Sequence, residues 1–418
     1  MGMTHSFITE WDNTPKTKMR FNREVSFAEL QRVTNCMAKH EIPSIEDFIW
    51  VLKEAAKVLS TLPNNVHVIP EPNDRLIFVG DLHGCFETLI RLFLGYPQQN
   101  IPRTGFPGEV VDGRRLVYFF NGDFVDRGGS GYQIVFLLAY MAIACPGTCY
   151  LNRGNHESEM FGLSTQGMLG NKFMSEMAGK FSGMDPEVYR PAIGEFFCAL
   201  PIAHTIDRNI FMVHGGVPLG DDLSNVPRAT PQSYFSTGSP TPIPKGLKPY
   251  KISNLDNLIP SRQKTTNFED NPRKQNELWH SFVWNYDRLP YSADFMEENN
   301  FKTMVHSHTA TPFHQITSFL PLEKSSGEKY SIQSVIKNQE MFDRMKAFFA
   351  SHQLANSSKL SILEIFSSPT NNGTVYAACV DAVPGEPGQR INYDPFQWTY
   401  IFLGNASEYN FIQQGTTY

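Results

Sequence analysis

No apolar run in this sequence is long enough to cross a bilayer. The longest, Tyr132–Cys145 (YQIVFLLAYMAIAC), stops before Pro146 and falls short of the roughly 20 residues a spanning helix needs. A buried helix is expected there. Residues 1–22 are polar and interrupted, so no secretory leader is expected. A basic excess is also absent. Lys and Arg number 36 against 42 Asp and Glu, a net charge of −6. That balance excludes a general nucleic-acid binder but leaves phosphate chemistry at a local site open. Cysteine is sparse: there are six, and the closest pair, Cys145 and Cys149, is not a CxxC. Buried, reduced thiols and a cytoplasmic location are expected in preference to a disulfide framework. Met1-Gly2 followed by Ser6 fits the minimal N-myristoylation pattern, which would add membrane association through Gly2. Internal repeats are lacking too. What the chain does have is 41% apolar and 13% aromatic residues in 418, enough for a large core and too much for wholesale disorder.

The pattern along the chain divides it. Residues 1–22 read as a polar arm and 23–70 as a helical segment packed on the domain formed by 71–385. Helices are expected at 27–39 and 44–61, the second capped by Ser44 with Glu46 and Asp47 in its first turn. From Leu76 onward, short apolar runs each end in Gly, Asp, Asn and His. They are Leu76–Val79, Leu116–Phe120, Cys149–Leu151, Ile210–Val213 and Thr303–Val305, with helices expected at 86–94 and 131–144. Polar residues at the ends of buried strands are how a layered α/β sheet holds a site along one edge. A catalytic domain over 71–385 is the expectation, with insertions at about 220–250 and 321–358. The first insertion is rich in Pro, Ser, Thr and Gly; the second carries a helical pattern over about 332–353. Residues 386–418 are aromatic-rich and expected to pack as an extension containing strands.

Chemistry-bearing residues lie just after those runs. Gly80-Asp81-Leu82-His83-Gly84 places a carboxylate and an imidazole where a turn can bring both to one ion. Gly122-Asp123-Phe124-Val125-Asp126-Arg127-Gly128 adds a carboxylate able to bridge two cations, then a second carboxylate and a guanidinium suited to phosphate. Asn155-His156 sets a neutral oxygen ligand beside an imidazole, and His214 and His308 lie further along. Taken singly, each has an ordinary explanation: Asp-Gly and Asn-Gly steps are common turns, and most lone histidines simply hydrogen-bond. His204, within an apolar run, is expected in the core. His5, His40, His67, His280, His314 and His352 have no special context, and His306 is readable either way.

The order is what distinguishes this chain. GDxHG, GDxVDRG, GNHE and HGG in succession, with Leu200-Pro201-Ile202-Ala203, Leu278-Trp279 and Phe366-Ser367-Ser368-Pro369, resemble the phosphoprotein phosphatase family of calcineurin-like metallophosphoesterases over about residues 45–380. The resemblance implies an α/β metallophosphoesterase β-sandwich flanked by helices, with a dinuclear metal site at the sheet edge. Asp81, His83 and Asp123 would hold one divalent ion. Asp123 would bridge to a second, completed by Asn155, His214 and His308. Oxygen and imidazole ligands suit Mn, Fe or Zn without deciding among them, Mn being expected in vitro. Two such ions, about 3.5–4 Å apart, activate a bridging hydroxide for in-line attack on phosphorus. His156, oriented by Asp126, would protonate the leaving alkoxide. Arg127, Asn155 and Arg288 would hold the phosphate.

Some positions depart from the family pattern. Leu289 replaces the glycine that usually comes after the second phosphate arginine. His306 stands where an arginine usually precedes the last metal histidine. Thr370-Asn371-Asn372-Gly373 shortens a loop that normally carries Tyr-Cys. Toxin sensitivity and substrate choice therefore do not carry over. The implied activity is dephosphorylation of phosphoserine and phosphothreonine in proteins, with regulatory or docking proteins reached through the insertions. Phosphotyrosine, nucleotides or small phosphates are the alternative substrates, and an inactive scaffold is the alternative outside catalysis.

Overall fold

The computed structural model describes residues 17–158, 162–163, 173–217, 295–296, 298–308, 314–319, 333–336, 360–370, 374–392 and 398–409. The arm through residue 16, with Gly2 and His5, lies outside these residues. So do the 220–250 insertion, Leu278-Trp279, His280, Arg288, Leu289, the rest of 321–358 with His352, and Asn371-Asn372-Gly373.

The first elements are β1 (Thr17–Lys18), α1 (Phe27–Ala38), β2 (Glu41–Ile42), α2 (Ile45–Leu59) and β3 (Asn65–Val68). Next come β4 (Asp74–Val79), α3 (Phe86–Leu94), β5 (Val110–Val111), β6 (Arg114–Phe120), α4 (Gly131–Ala144) and β7 (Cys149–Leu151). After them stand α5 (Phe173–Lys180), α6 (Arg190–Ala199), β8 (Ala203–Ile206), β9 (Ile210–Val213) and β10 (Thr303–His306). The remaining strands are β11 (His314–Phe319), β12 (Gln333–Ile336), β13 (Leu360–Glu364), β14 (Thr374–Asp381) and β15 (Thr399–Asn405). Among the described residues, no helix is long and apolar enough to cross a membrane.

The strands form a mixed α/β sandwich. One sheet has the order β12-β11-β13-β10-β9-β8-β3; the other runs β15-β14-β4-β6-β5, with β7 on β6. Strict alternation assigns the faces. Leu76 and Phe78 of β4, with Val117 and Phe119 of β6, meet Val66, Ile206, Met212, Val305 and Leu363 of the other sheet in an apolar slab. Their sequence neighbours Ile77, Val79, Leu116, Tyr118 and Phe120 face the other way and pack into the helical layer. That layer is centred on α4, which is buried along almost its whole length. Helix α2 starts as its sequence predicts, Ser44 accepting from the Asp47 N–H, and buries Ile45, Phe48, Val51, Leu52, Ala55 and Leu59. Each such large side chain contributes on the order of 1.5–3 kcal/mol.

Two expectations need correction. Asn65–Val68 falls within the expected helical segment but is β3, paired parallel to β8. Its alternating Asn-Val-His-Val is too short to announce a strand without its partner. Gln333–Ile336 falls at the start of an expected helix but pairs antiparallel with β11. Ile332, Val335 and Ile336 fit a helical period, yet β-branched residues beside an available strand edge favour extension. The cysteines among the described residues are all free thiols; Cys85, Cys145, Cys149 and Cys379 are buried.

What positions the site is strand direction. β4, β6 and β7 are mutually parallel in one sheet, and β9, β10 and β13 in the other. The residues immediately after β4, β6, β7, β9 and β10 leave the sheets together.

Candidate metal centre

Asp81 and His83 come after β4, Asp123 after β6, Asn155 and His156 after β7, His214 after β9 and His308 after β10. The turns that aim them are tight. His83, Asp123, Asp126, Arg127 and His308 all adopt positive φ, at 42°, 53°, 67°, 60° and 70°. A non-glycine residue in this region costs about 1–3 kcal/mol and persists only where its surroundings over-determine it. Here they do. The Leu82 and His83 N–H groups both donate to the Asp123 carbonyl, and the Gly128 N–H donates to the His83 carbonyl. The two loops touch backbone to backbone at Gly84, where an added Cβ would lie 2.8 Å from the Gly128 carbonyl carbon.

The side chains converge. His83 Nε2 is 3.4 Å from Asp81 Oδ2 and 3.6 Å from Asp123 Oδ2. His214 Nε2 is 3.3 Å from Asp123 Oδ2, and His156 Nε2 is 4.0 Å from the same oxygen. Asn155 Oδ1 lies 3.0 Å from both His214 Nε2 and His308 Nδ1. The His308 N–H donates to Asp81 Oδ1 at 3.1 Å. Two groups of metal-type donors result, His83-Asp123-His156 and Asp123-His214-His308, each gathered within 4.8 Å. Asp123 belongs to both.

Tautomers are set from outside the cluster. His83 Nδ1–H donates to the Val125 carbonyl (3.1 Å) and His214 Nδ1–H to the Asn121 carbonyl (2.6 Å). In its neutral form each ring therefore turns an Nε2 lone pair inward, as a ligating imidazole must. Asp81 Oδ2 and His83 Nε2 are buried without a hydrogen bond. The Asn155 amide lies within 3.0 Å of His214 Nε2 and His308 Nδ1, so its oxygen can join them around an ion. The donor set thus fits divalent metal ions.

Charge distribution obeys the same logic. Burial would raise the Asp123 carboxyl, but His214 and His156 hold it well below the carboxylate range. Burial would lower His214, but Asp123 and Asp81 push it up to about 9. His83 is lowered by burial and by Arg127, and His308 by burial and by His214. A metal-free cluster therefore neutralises Asp123 with a proton on His214, and a cation would take that proton's place.

At the edge of this cluster, His156 turns its other nitrogen away: Nδ1–H donates to Asp126 Oδ2 at 2.8 Å. Burial opposes protonation of His156, but Asp123 and Asp126 outweigh it and raise the ring above its ordinary value. Asp126 is itself fixed by the Phe173 N–H on Oδ1 (3.0 Å) at the start of α5. Arg127, half-buried, comes directly after it. Arg288 is outside the described residues. His204 is fully buried in β8, as its apolar context predicts, and His306 is buried at the end of β10.

Sequence reasoning passes over Glu157. Its carboxylate accepts from the N–H groups of Asp123 (2.8 Å), Phe124 (2.8 Å) and Gly154 (2.9 Å), fastening the turn that carries Asp123. The available signal is an acid directly after Asn155-His156, in a motif otherwise read as ligands. The part played by Ser367, a motif residue without an assigned role, is also structural: its Oγ accepts from the Gly80 N–H (3.0 Å) and donates to the Tyr376 carbonyl (2.7 Å), bracing the Asp81 strand end.

Known proteins share this arrangement of strands and loops. Residues 74–312 match the family of calcineurin-like phosphoesterases. The mouse serine/threonine-protein phosphatase with EF-hands 1 is 30% identical over 209 residues, 50% of this chain and 29% of that protein. Tomato serine/threonine-protein phosphatase 5 is 32% identical over 169 residues, 40% of this chain and 26% of its own. The matched stretch thus spans less than a third of either relative's length. Among solved structures, a protein serine/threonine phosphatase from Saccharomyces cerevisiae with similarity to human phosphatase PP5 superposes with a TM-score of 0.55 at 17% identity. That match covers 89% of this chain and 95% of the other, and it establishes likeness of fold.

Proposed function

Because the chain belongs to the calcineurin-like phosphoesterase family, we propose that it is a metal-dependent protein phosphatase that hydrolyses phosphoserine and phosphothreonine. The observation that carries this reading is the sharing of Asp123 between two donor groups, one of them including His156 of the His156–Asp126 pair. Asp81, His83 and Asp123 would hold one divalent ion, and Asp123, Asn155, His214 and His308 the second. Mn, Fe or Zn all suit these donors. When bound, such a pair supplies Lewis acidity toward phosphate oxygens and a water acidic enough to act as nucleophile near neutral pH.

The chain's own residues do the rest. His156 carries a proton on Nδ1 toward Asp126 and offers Nε2–H to a leaving alkoxide. Asp126 keeps the ring oriented and favours its charged form. Arg127 presents a fork of N–H donors for two phosphate oxygens, with Asn155 and Arg288 completing the clamp. In-line attack by water and proton transfer from His156 release an alcohol and phosphate without a phosphoenzyme. The names of the mouse and tomato relatives support serine and threonine as the substrate side chains. The insertions are the proposed contacts for regulatory proteins, and the free buried thiols favour the cytoplasm.

The test is turnover by the purified chain, loaded with Mn²⁺, of matched phosphoserine, phosphothreonine and phosphotyrosine peptides against nucleotides. Preferential release from the first two, abolished by a chelator and restored by metal, is expected. A preference for nucleotides would assign the site to small phosphates. Metal binding without turnover of any substrate would make the chain a scaffold.

A further inference from the structure

Near the metal-type donors, the slab between the sheets holds a series of joined polar side chains. There, His204 Nδ1–H donates to Asn152 Oδ1 (2.7 Å), and Asn152 Nδ2 donates to Asn121 Oδ1 (2.8 Å) and the Met212 carbonyl (3.3 Å). Asn121 Nδ2 in turn donates to the Val213 carbonyl and to Ser307 Oγ, both at 2.9 Å. The Met212 and Val213 carbonyls can only accept, so the direction of every bond in the series is fixed. His204, Asn152 and Ser307 are wholly buried, and Asn121 is 2% exposed.

Stability alone does not explain the series. Replacing a satisfied buried polar network by apolar groups of similar shape is often neutral or stabilising. What hydrogen bonds add is fixed length and direction, which an apolar slab lacks. The members come from both sheets: Asn121 and Asn152 end β6 and β7, while His204, Met212, Val213 and Ser307 lie in or after β8, β9 and β10. The cluster is divided the same way. Asp81, His83, Asp123 and Asn155 extend from strands of one sheet, His214 and His308 from strands of the other. The series also reaches both residues contributed by that second sheet. The Asn121 carbonyl holds His214 Nδ1–H, and Ser307, which precedes His308, donates its N–H to the His214 carbonyl (2.8 Å).

We propose that Asn121, Asn152 and His204 are positioning residues that set the register between the two sheets, and with it the geometry of the Asp123-Asn155-His214-His308 group. This rests on the metal-binding reading of the cluster. It makes a selective claim: only the ion held across the two sheets depends on the series, whereas Asp81 and His83 share a sheet with Asp123.

The test is calorimetric titration of Mn²⁺ into metal-free protein, paired with urea unfolding. For Asn152→Leu, one of the two ions is expected to weaken about 10–100-fold, the range for residues that orient metal ligands, while the other is retained. Thr205→Val is the control. It breaks a buried pair with Asn65 (3.0 Å) between β3 and β8, on the face of β8 opposite to His204, and is expected to lower stability with both affinities unchanged. Wild-type affinity for both ions in folded Asn152→Leu overturns the proposal, as does an equal loss in Thr205→Val. If Asn152→Leu does not fold, His204→Ala cuts the far end of the series and is read by the same criteria. An unaltered chain that binds no divalent ion would overturn the metal reading along with the proposal, so the two failures are told apart.

Discussion

His156 and Asp126 show how much a residue's neighbours decide. The ring is buried, which disfavours its charge, yet two carboxylates raise its proton affinity. A raised pKa keeps the acid form present to higher pH, so activity that needs that proton is lost as pH climbs through the folded value. Changing His156 to Asn is expected to leave metal content intact and lower kcat about 10²–10⁴-fold; turnover equal to the unaltered chain would remove it as the acid. Asp126→Asn keeps an acceptor for Nδ1–H but removes one of the charges. The basic limb of its pH–rate profile is expected to move to lower pH, and a limb that stays in place would contradict the pairing. Phosphate inhibition separates the arginines from this chemistry. Arg127→Ala and Arg288→Ala are each expected to weaken phosphate as a competitive inhibitor, and an unchanged inhibition constant eliminates the arginine concerned from the clamp.

At the scale of elements, α4 and α5 illustrate a dependence that periodicity does not reveal. The N-terminus of α4 has no side-chain cap of its own. Glu176 of α5 supplies one, accepting from the Gly131 (2.9 Å) and Tyr132 (3.1 Å) N–H groups. Burial pushes the Glu176 carboxyl up to about 7 from an ordinary 4.5, against the pull of Lys180. Between those values the folded chain keeps a proton that the unfolded chain has released, so this group makes stability fall as pH rises across that window and stay lowered above it. Glu176→Gln removes the titration. Urea unfolding of metal-free protein from about pH 5 to about pH 8 is expected to show the variant gaining on the unaltered chain up to about pH 7, then running parallel. A pH-independent difference would show that Glu176 does not titrate there. The sequence made α4 legible because its apolar run is bounded by Gly131 and Pro146, and the strands before Asp81, Asp123, Asn155 and His214 because each ends in glycine and polar residues. β3 and β12 were hidden: no glycine turn follows either run to mark it, and their identity comes from distant partners, β8 and β11. Glu157 and Glu176 were hidden for a related reason. Their partners are backbone N–H groups, which leave no mark in the sequence.

The whole molecule brings strand ends from two sheets to one place, and Asp123 is where they meet. Its Oδ1 accepts the His156 N–H at 3.0 Å, which leaves Oδ2 facing His83, His214 and His156 at 3.6, 3.3 and 4.0 Å. The fold thus leaves one carboxylate oxygen amid imidazoles from both halves of the sandwich. Losing its charge has consequences on each side. Asp123→Asn keeps the size of the side chain and an acceptor for the His156 N–H, so the turn fastened by Glu157 is expected to survive. His214 and His156 lose the charge that raises them most, and both metal positions lose a shared anionic ligand. Metal analysis of the purified variant is expected to find both ions depleted together, where loss of His308 would deplete only one. Retention of one full equivalent would confine Asp123 to a single ion, and full occupancy of both would mean that the sheets meet around some other group.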